Sequence, residues 1–321
     1  RDINFDLKRI EGYRNFCNKL WNASRYVFMS SDNYQFHNKI NFEKLTTYEK
    51  FMIMKLDELV TEYKKHCTSY RFDLMASSLY SFIWNEYCDW YLEIAKIEID
   101  RGNEYTKNVL IYVLQIILKL CHPIIPYITE EIWKEMIELE YTEDMILMNA
   151  KFPSQQKIFK DEKINDEIIL LKSFINGIRK TRSDLNVHPK TKIDIFCIFE
   201  DSFYKSFLTN NNDIISSLVN SNLLYINDNS YNIDECITLS ISEMKLFIPI
   251  KKIIDIDTEK KRLEKNLDNL INNLNKIESK LENKSFIEKA PSEIIQSNFN
   301  KQKYFMKEIE SLKELIQCLS D

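Results

Sequence analysis

The sequence predicts a mainly α-helical protein with a helical bundle, then a small α/β domain, and a C-terminal antiparallel coiled-coil hairpin. Residues 1–150 repeat the apolar spacing of helices, whereas residues 151–256 alternate helical patterns with β-branched runs. Residues 257–321 carry a heptad repeat. At 321 residues the chain is long enough to bury the cores of two or three such domains.

The first predicted helix spans Asp6–Met29, with Asp6 as its N-cap. At about 100° per residue its apolar face holds Tyr13, Phe16, Cys17, Leu20, Trp21, Ser24, Val27 and Phe28. The opposite side lines up Lys8, Asn15, Lys19, Asn22 and Tyr26, with Arg14, Asn18 and Arg25 beside them. This side almost lacks carboxylates, so it is a candidate surface for phosphates and bases. A solvated helix back is the structural alternative.

The rest of the bundle follows from the same periodicity. A polar connection at Ser30–Phe42 leads to helices predicted at Thr47–Cys67, Arg71–Lys96 and Glu104–Leu120. The last of these is apolar nearly all round, which is typical of a central helix. Pro126 is placed to open a further short helix.

The second part alternates helices with short strands. Helices are predicted near Asp161–Arg182 and Asp201–Asn220, and strands at residues 192–199, Leu223–Ile226, Asn232–Leu239 and Met244–Ile250. The pattern does not determine the order of the strands.

The third part predicts two paired helices. A heptad seam runs through Leu263, Leu267, Leu270, Leu274, Ile277 and Leu281, and a second through Phe305, Ile309, Leu312, Leu315, Ile316 and Leu319. Pro291 breaks the run between them. Basic residues concentrate on the first helix and the bend, namely Lys260, Lys261, Arg262, Lys265, Lys276, Lys280 and Lys284. They are possible RNA contacts, or the solvated face of a coiled coil.

Several classes of site find no support in the sequence. The net charge is −5, so a nucleic acid would need a local basic patch. There is no glycine-rich phosphate loop, no CxxC pair and no HExxH. We therefore expect no catalytic residue and no metal site, and the seven cysteines read as buried free thiols. No apolar run is long enough to span a membrane.

Other conspicuous residues have structural interpretations. Glu86, Asp89 and Glu93 share a helix face without a nucleophile or metal partner, so we expect ordinary ion pairs or hydrogen bonds. His122 is predicted to be a satisfied corner residue. Core positions are expected for Trp21, Trp84, Trp90 and Trp133.

Several stretches carry a resemblance to a known family. RDINFDLKRIEGYRNFCNKLWNASRYVFM, RFDLMASSLYSFIWNEYCDWYLE, LCHPIIPYITEEIW, IRKTRSDLNVHPKTKI and KSFIEKAPSEII resemble the C-terminal part of bacterial-type valyl-tRNA synthetases. The coiled-coil ending is the most specific of them. The match departs from the family around Thr46–Leu56 and in the Asn-rich stretch near 210–230. HIGH-type and KMSKS-type words are absent, and the chain opens without methionine, so we expect a fragment that follows the catalytic and editing domains.

The resemblance implies functions for the three parts and for particular residues. Residues 1–150 would be an anticodon-binding bundle and residues 257–321 a tRNA-binding arm, in an enzyme that attaches valine to tRNA(Val) with ATP. Matching anticodon residues are Lys8, Lys19, Arg25, Tyr26 and Leu92, with weaker candidates in Arg14, Asn15, Asn18 and Asn22. We expect no cofactor in this chain, since ATP and Mg²⁺ would bind the missing catalytic domain. The protein would be a cytoplasmic monomer without a membrane partner.

Two alternatives stay open at this point. One is the equivalent region of an isoleucyl- or leucyl-tRNA synthetase, although the zinc module of the isoleucine version has no counterpart here. The other is a helical scaffold that does not bind RNA, whose hairpin docks protein partners through an exposed heptad seam.

Overall fold

The computed structural model describes residues 7–154, 161–227, 236–249, 256–282 and 292–318. It divides the chain into two compact units, Arg1–Ile169 and Leu170–Asp321. The described residues are mainly helical with one small mixed sheet, which confirms the predicted fold class. The three-part division at residues 150 and 256 stays a prediction.

The described residues of the first unit form helices joined by turns and irregular segments, without a strand. Its elements are α1 (Leu7–Ser30), α2 (Thr47–Thr68), α3 (Phe72–Ser81), a π segment (Phe82–Tyr91), α4 (Leu92–Asp100), α5 (Tyr105–Cys121) and α6 (Pro126–Glu138). Short 3₁₀ turns lie at Phe42–Lys44 and Leu147–Asn149. The predicted helices are confirmed to within about one turn, and Asp6, the expected N-cap of α1, lies outside the described residues.

Helix α5 is the centre of this unit, as predicted. It packs against α1, α2, α4 and α6. Its fully buried apolar side chains are Val109, Leu110, Ile111, Val113, Leu114, Ile117, Leu118 and Leu120. A helix that is apolar all round is stable only when neighbours cover every side, and the bundle provides that cover.

The predicted single helix Arg71–Lys96 contains a change of helical type. It runs from α3 through the π segment into α4, and the residues at both junctions keep right-handed helical dihedrals. The Leu92 N–H donates to the Tyr87 carbonyl, five residues earlier. That hydrogen bond defines a π-helix, which periodicity alone does not reveal.

The corner after α5 matches its prediction. Pro126 occupies the first turn of α6, where its missing N–H costs nothing. His122 Nδ1 lies 2.9 Å from Thr129 Oγ1, so the satisfied corner histidine is confirmed.

The second unit contains a four-stranded sheet in its described part. Its elements are the end of α7 (Glu162–Asp184), β1 (Ile193–Ile198), α8 (Ser202–Val219), β2 (Ser221–Ile226), β3 (Cys236–Ile241) and β4 (Met244–Pro249), with strand order β2-β1-β4-β3. β1 and β2 are parallel with α8 as their crossover, and β4 is antiparallel to both β1 and β3. Residues 232–235 and Ile250 of the predicted strands lie outside the described residues.

Helices α9 (Ile256–Glu282) and α10 (Ser292–Cys318) form the hairpin. Gln302 Nε2 donates to Glu278 Oε1 at 3.1 Å, whereas Leu312 and Ile316 pack with Leu263. Residue numbers therefore rise along one helix as they fall along the other, so the predicted antiparallel pairing is confirmed. The predicted break at Pro291 lies outside the described residues.

Two further findings concern expectations from composition. Cys88, Cys121, Cys197 and Cys236 are buried and not joined in disulfides, whereas Cys67 is exposed, so the expected burial is wrong for Cys67. Across the described ranges, no helix combines the length and apolarity that a membrane crossing requires.

Candidate nucleic-acid interface

The core side of α1 is narrower than its apolar pattern suggests. α1 packs against α5 and α6, and Leu20, Ala23 and Val27 are buried there. The predicted core positions are wrong for Tyr13 and Trp21, which are 64% and 38% exposed. Trp21 lies at the edge of the apolar face, whereas Tyr13 lies near its middle but in the N-terminal turns of α1, where residues 10–15 are all exposed.

A second flank of α1 packs against the π segment. Lys19 lies on this flank with its side chain only 24% exposed. Its Nζ is 2.5 Å from Asp89 Oδ1, 3.5 Å from the Trp84 carbonyl oxygen and 3.8 Å from the centre of the Trp84 ring. The predicted outer face of α1 is therefore partly covered, not a fully solvated helix back.

Tyr26 lies on the same flank, near α4. Its ring packs against the bundle core, and Lys96 Nζ lies 5.3 Å from the ring centre. Burial raises the pKa of the Tyr26 phenol, while a hydrogen bond with Ser30 acts in the opposite direction. Tyr26 is thus a neutral, half-buried aromatic at the edge of the core, and its contact with a base stays a prediction.

Two further anticodon candidates have side chains that the structure describes, Leu92 and Arg25, and both lie away from this flank. Leu92 is 6% exposed and belongs to the bundle core, so its side chain is not presented to solvent. Arg25 is exposed and lines a groove of about 340 Å³ between α1 and α6, beside Glu135 and Glu138. The structure thus brings Lys19 and Tyr26 to one flank of α1 and places Arg25 on another.

The weaker candidates on α1 are all at the surface. Arg14, Asn15, Asn18 and Asn22 are exposed, and Arg14 Nη2 lies 3.3 Å from Glu11 Oε1. Lys8 lies in the first turn of α1, but its side chain is outside the described ones. All of these assignments stay predictions.

A stack of aromatic rings beside Lys19 was missed from the sequence. The Phe16 and Tyr80 rings are 5.1 Å apart at 24°, and the Tyr80 and Trp84 rings are 5.5 Å apart at 7°. Trp84 is half-buried at the edge of the bundle, as is Trp90, whereas Trp133 is fully buried as predicted. The spacing of Tyr80 and Trp84, one helical turn apart, was the available signal.

The acidic residues on the π segment and α4 have structural roles. Asp89 pairs with Lys19, and Glu93 Oε1 accepts from Lys96 Nζ at 2.6 Å. The structural interpretation is therefore confirmed for these two. Within the described part of the chain, no three His, Cys, Asp or Glu side chains are grouped as metal ligands.

The basic residues of the hairpin differ in what they contact. Lys261, Lys265, Lys276 and Lys280 are exposed on α9, and Lys260 is half-buried. Arg262 instead donates from Nη2 to the Asp184 carbonyl at the end of α7. Arg262 therefore holds the base of the hairpin, and Lys284 lies outside the described residues.

Sequence comparisons identify both parts of the chain. Residues 49–197 match the family model described as the anticodon-binding domain of tRNA ligase. Residues 255–320 match the one described as the valyl tRNA synthetase tRNA binding arm. The first match covers most of the bundle, and the second covers the hairpin.

Curated relatives align along nearly the whole chain. The valine–tRNA ligase of Buchnera aphidicola subsp. Acyrthosiphon pisum (strain APS) is 36% identical over 305 residues, covering 94% of this chain and 32% of the relative. Its counterpart from Buchnera aphidicola subsp. Schizaphis graminum (strain Sg) is 35% identical over 328 residues, covering 100% of this chain and 34% of the relative. The valine–tRNA ligase of Francisella tularensis subsp. tularensis (strain SCHU S4 / Schu 4) is 34% identical over 302 residues, covering 92% of this chain and 32% of the relative.

The chain spans about a third of the length of these relatives. Its bundle and its hairpin match two family models in that order, and the second model is named for the valyl-tRNA synthetase. The chain belongs to the valyl-tRNA synthetase family, of which it carries the anticodon-binding domain and the tRNA-binding arm.

Proposed function

We propose that this chain is the tRNA-binding part of a valine–tRNA ligase, which attaches valine to tRNA(Val) using ATP. The observation that carries the proposal is the pair of family matches on two different structures, a helical bundle and a coiled-coil hairpin. Ligation is proposed for the whole protein, with ATP and Mg²⁺ bound outside this chain. A cytoplasmic monomer is proposed as its working form.

The bundle is proposed to bind the anticodon on the flank of α1 that holds Lys19 and Tyr26. Tyr26 offers a neutral, half-buried aromatic ring on which a splayed base can stack, a contact worth about 1–3 kcal/mol. Lys19 adds an ammonium group held beside Trp84 and Asp89. Arg25 and the exposed asparagines of α1 are proposed to contact neighbouring nucleotides.

The hairpin is proposed to bind the body of the tRNA. Lys261, Lys265, Lys276 and Lys280 are exposed along α9, a helix of 27 residues that is about 40 Å long at 1.5 Å per residue. Exposed lysines on a rod neutralise phosphates without reading bases, so this contribution is independent of the anticodon.

The scaffold alternative receives no support from the described hairpin. Leu263, Leu281 and Ile309 of the heptad seam are buried in the pairing of α9 with α10. The apolar side chains that α10 exposes, such as Phe299 and Tyr304, lie off that seam. The isoleucine and leucine alternatives are disfavoured because the hairpin matches a model named for the valyl-tRNA synthetase and the three relatives are all valine–tRNA ligases.

A filter-binding titration with transcripts of tRNA(Val) tests the proposal. We expect binding that weakens as salt rises, because phosphate contacts release counterions, and that weakens further when the middle anticodon base is changed. Lys19→Ala combined with Tyr26→Ala should lower affinity about tenfold or more, given the value of one stacking contact. Lys64→Ala with Tyr70→Ala, two exposed residues near the end of α2, is the matched control.

Two results would count against the proposal. Equal affinity for the normal and altered anticodons would remove anticodon recognition, and unchanged affinity in the Lys19/Tyr26 variant would move the site elsewhere. Aminoacylation by this chain alone would contradict the assignment of catalysis to the part of the enzyme that the chain does not span.

A further inference from the structure

The π segment creates a specific setting for Lys19. Trp84 and Asp89 both lie within it, five residues apart. At 3.6 residues per turn, two such residues on an α-helix would point about 140° apart. The wider π turn brings them toward one face, and both contact the same ammonium group. π segments of this kind occur frequently at functional sites.

The contacts hold Lys19 from three directions. Asp89 Oδ1 and the Trp84 carbonyl accept hydrogen bonds at 2.5 and 3.5 Å, and the Trp84 ring lies 3.8 Å from Nζ. Trp84 is itself held by its stack with Tyr80, which in turn stacks on Phe16. A lysine is normally among the most mobile surface side chains, so this degree of restraint is unusual.

The restraint also determines what Lys19 is able to bind. An ammonium group has three donors, and Asp89 and the Trp84 carbonyl occupy two of them. The Asp89 carboxylate cancels the positive charge locally and would repel a phosphate at the same place. A hydrogen bond to an uncharged acceptor suffers no such repulsion. The N–H that makes only the 3.5 Å contact with the Trp84 carbonyl is the one that an incoming acceptor can take over, and the edge of a nucleobase suits it better than the RNA backbone.

The geometry points to Trp84 and Asp89 as positioning residues that hold the Lys19 ammonium for hydrogen bonding to an uncharged acceptor on a nucleobase edge. This inference rests on the proposed function, since it concerns how the anticodon is discriminated. A lysine fixed before binding loses little side-chain freedom when the correct base arrives. Holding Lys19 in place should therefore increase the difference in affinity between the correct and the altered anticodon, not the affinity for RNA in general.

The test compares three variants of the full 321-residue chain. Asp89→Asn removes the charge, Trp84→Leu removes the ring, and Trp84→Phe is the conservative rescue. Glu58→Gln is the matched control, because it removes the carboxylate of the Lys55–Glu58 pair on α2. Each variant is titrated with tRNA(Val) and with the transcript changed at the middle anticodon base, at two salt concentrations, after circular dichroism has confirmed its helical content.

We expect Asp89→Asn and Trp84→Leu to reduce the ratio of the two affinities about threefold to tenfold, the value of immobilising one long side chain. Trp84→Phe should restore most of that ratio, and Glu58→Gln should leave it unchanged. The salt slope of Asp89→Asn should stay the same or steepen, because the freed Lys19 is able to reach a phosphate. A ratio unchanged within twofold, or an equal loss for both transcripts, would overturn the inference.

Amine labelling followed by mass spectrometry tests the restraint without RNA. Lys19 should react more slowly than the exposed Lys261 and Lys265, and should react faster in Asp89→Asn and Trp84→Leu but not in Glu58→Gln. A Lys19 that reacts like an exposed lysine in the unaltered chain would overturn the inference even if tRNA binds. Failure of the unaltered chain to bind or discriminate tRNA would instead reject the proposed function.

Discussion

The buried tyrosines of the bundle differ in whether their hydroxyl groups have a hydrogen-bond partner. The Tyr141 hydroxyl donates to the Ser31 carbonyl at 2.6 Å. The hydroxyls of Tyr87 and Tyr91 are buried and lack a hydrogen-bond partner among the described residues. Burial raises the pKa of both phenols, so neither relieves the cost by ionising. An unsatisfied buried hydroxyl destabilises a fold, whereas a satisfied one does not.

Replacing these tyrosines by phenylalanine should therefore have opposite effects. We expect Tyr91→Phe to leave the free energy of unfolding unchanged or to raise it by about 1 kcal/mol, because the deleted hydroxyl made no bond. Tyr141→Phe should lower it by about 1–3 kcal/mol, since the Ser31 carbonyl loses a donor. Urea denaturation of both variants measures the difference. A larger decrease in Tyr91→Phe than in Tyr141→Phe would contradict this explanation.

The start of α2 shows how one element is tied to the bundle. The Thr46 hydroxyl accepts from the Glu49 N–H at 3.3 Å, and Glu49 Oε2 accepts from the Thr46 N–H at 2.8 Å. Glu49 Oε1 also accepts from the Thr106 hydroxyl of α5 at 2.6 Å, and Glu49 is only 1% exposed. Burial raises the pKa of Glu49 in spite of these hydrogen bonds, which act to lower it.

A raised carboxyl pKa makes stability depend on pH with a definite sign. The folded state then holds the Glu49 proton at pH values where the unfolded state has released it. Stability therefore falls as pH rises from the ordinary glutamate pKa through the raised one. Glu49→Gln should flatten this dependence, measured by urea denaturation across the acid to neutral range. Glu58→Gln on the same helix is the control, and an equal flattening there would exclude Glu49 as the cause.

At the scale of the whole molecule, the bundle and the hairpin are proposed to make different contributions to tRNA binding. The flank of α1 with Lys19 and Tyr26 is proposed to bind the anticodon, and the exposed lysines of the hairpin are proposed to add affinity that does not depend on the RNA sequence. The base of the hairpin is held by Arg262 on the Asp184 carbonyl and by Leu263 packed with Leu185 and Ile237. Among the described basic residues of the hairpin, Arg262 therefore has a structural contact, whereas the exposed lysines remain the proposed RNA contacts.

This division predicts different outcomes for two hairpin variants. Removing Lys261, Lys265, Lys276 and Lys280 together should weaken binding equally for all tRNA transcripts and reduce the salt slope by about one for each phosphate that is no longer neutralised. Arg262→Ala should instead lower the melting temperature of the second unit. Filter binding and calorimetry separate the two effects. Altered anticodon discrimination in the lysine variant would contradict the division.

Much of the architecture was predictable because helical patterns are local. The apolar spacing of α1, α2 and α5 and the heptads of the hairpin depend only on neighbouring residues, and the structure confirms them. Lys19 and Tyr26 could also be singled out, since the poverty of carboxylates on α1 is visible in the chain itself. The order of the strands could not be predicted, because pairing across a sheet depends on partners far apart in sequence.

Only the tertiary structure placed those residues in their chemical setting. Lys19 and Asp89 are 70 positions apart in the sequence, and they come into contact because α1 packs against the π segment. The periodicity of apolar residues did not predict that segment. Contacts between distant parts of the chain also bury Leu92 and hold Arg262 on the Asp184 carbonyl, whereas no neighbouring helix among the described residues covers Tyr13. Sequence periodicity decides which face of a helix is apolar. What covers that face depends on distant parts of the chain, and so does the role of each polar residue on it.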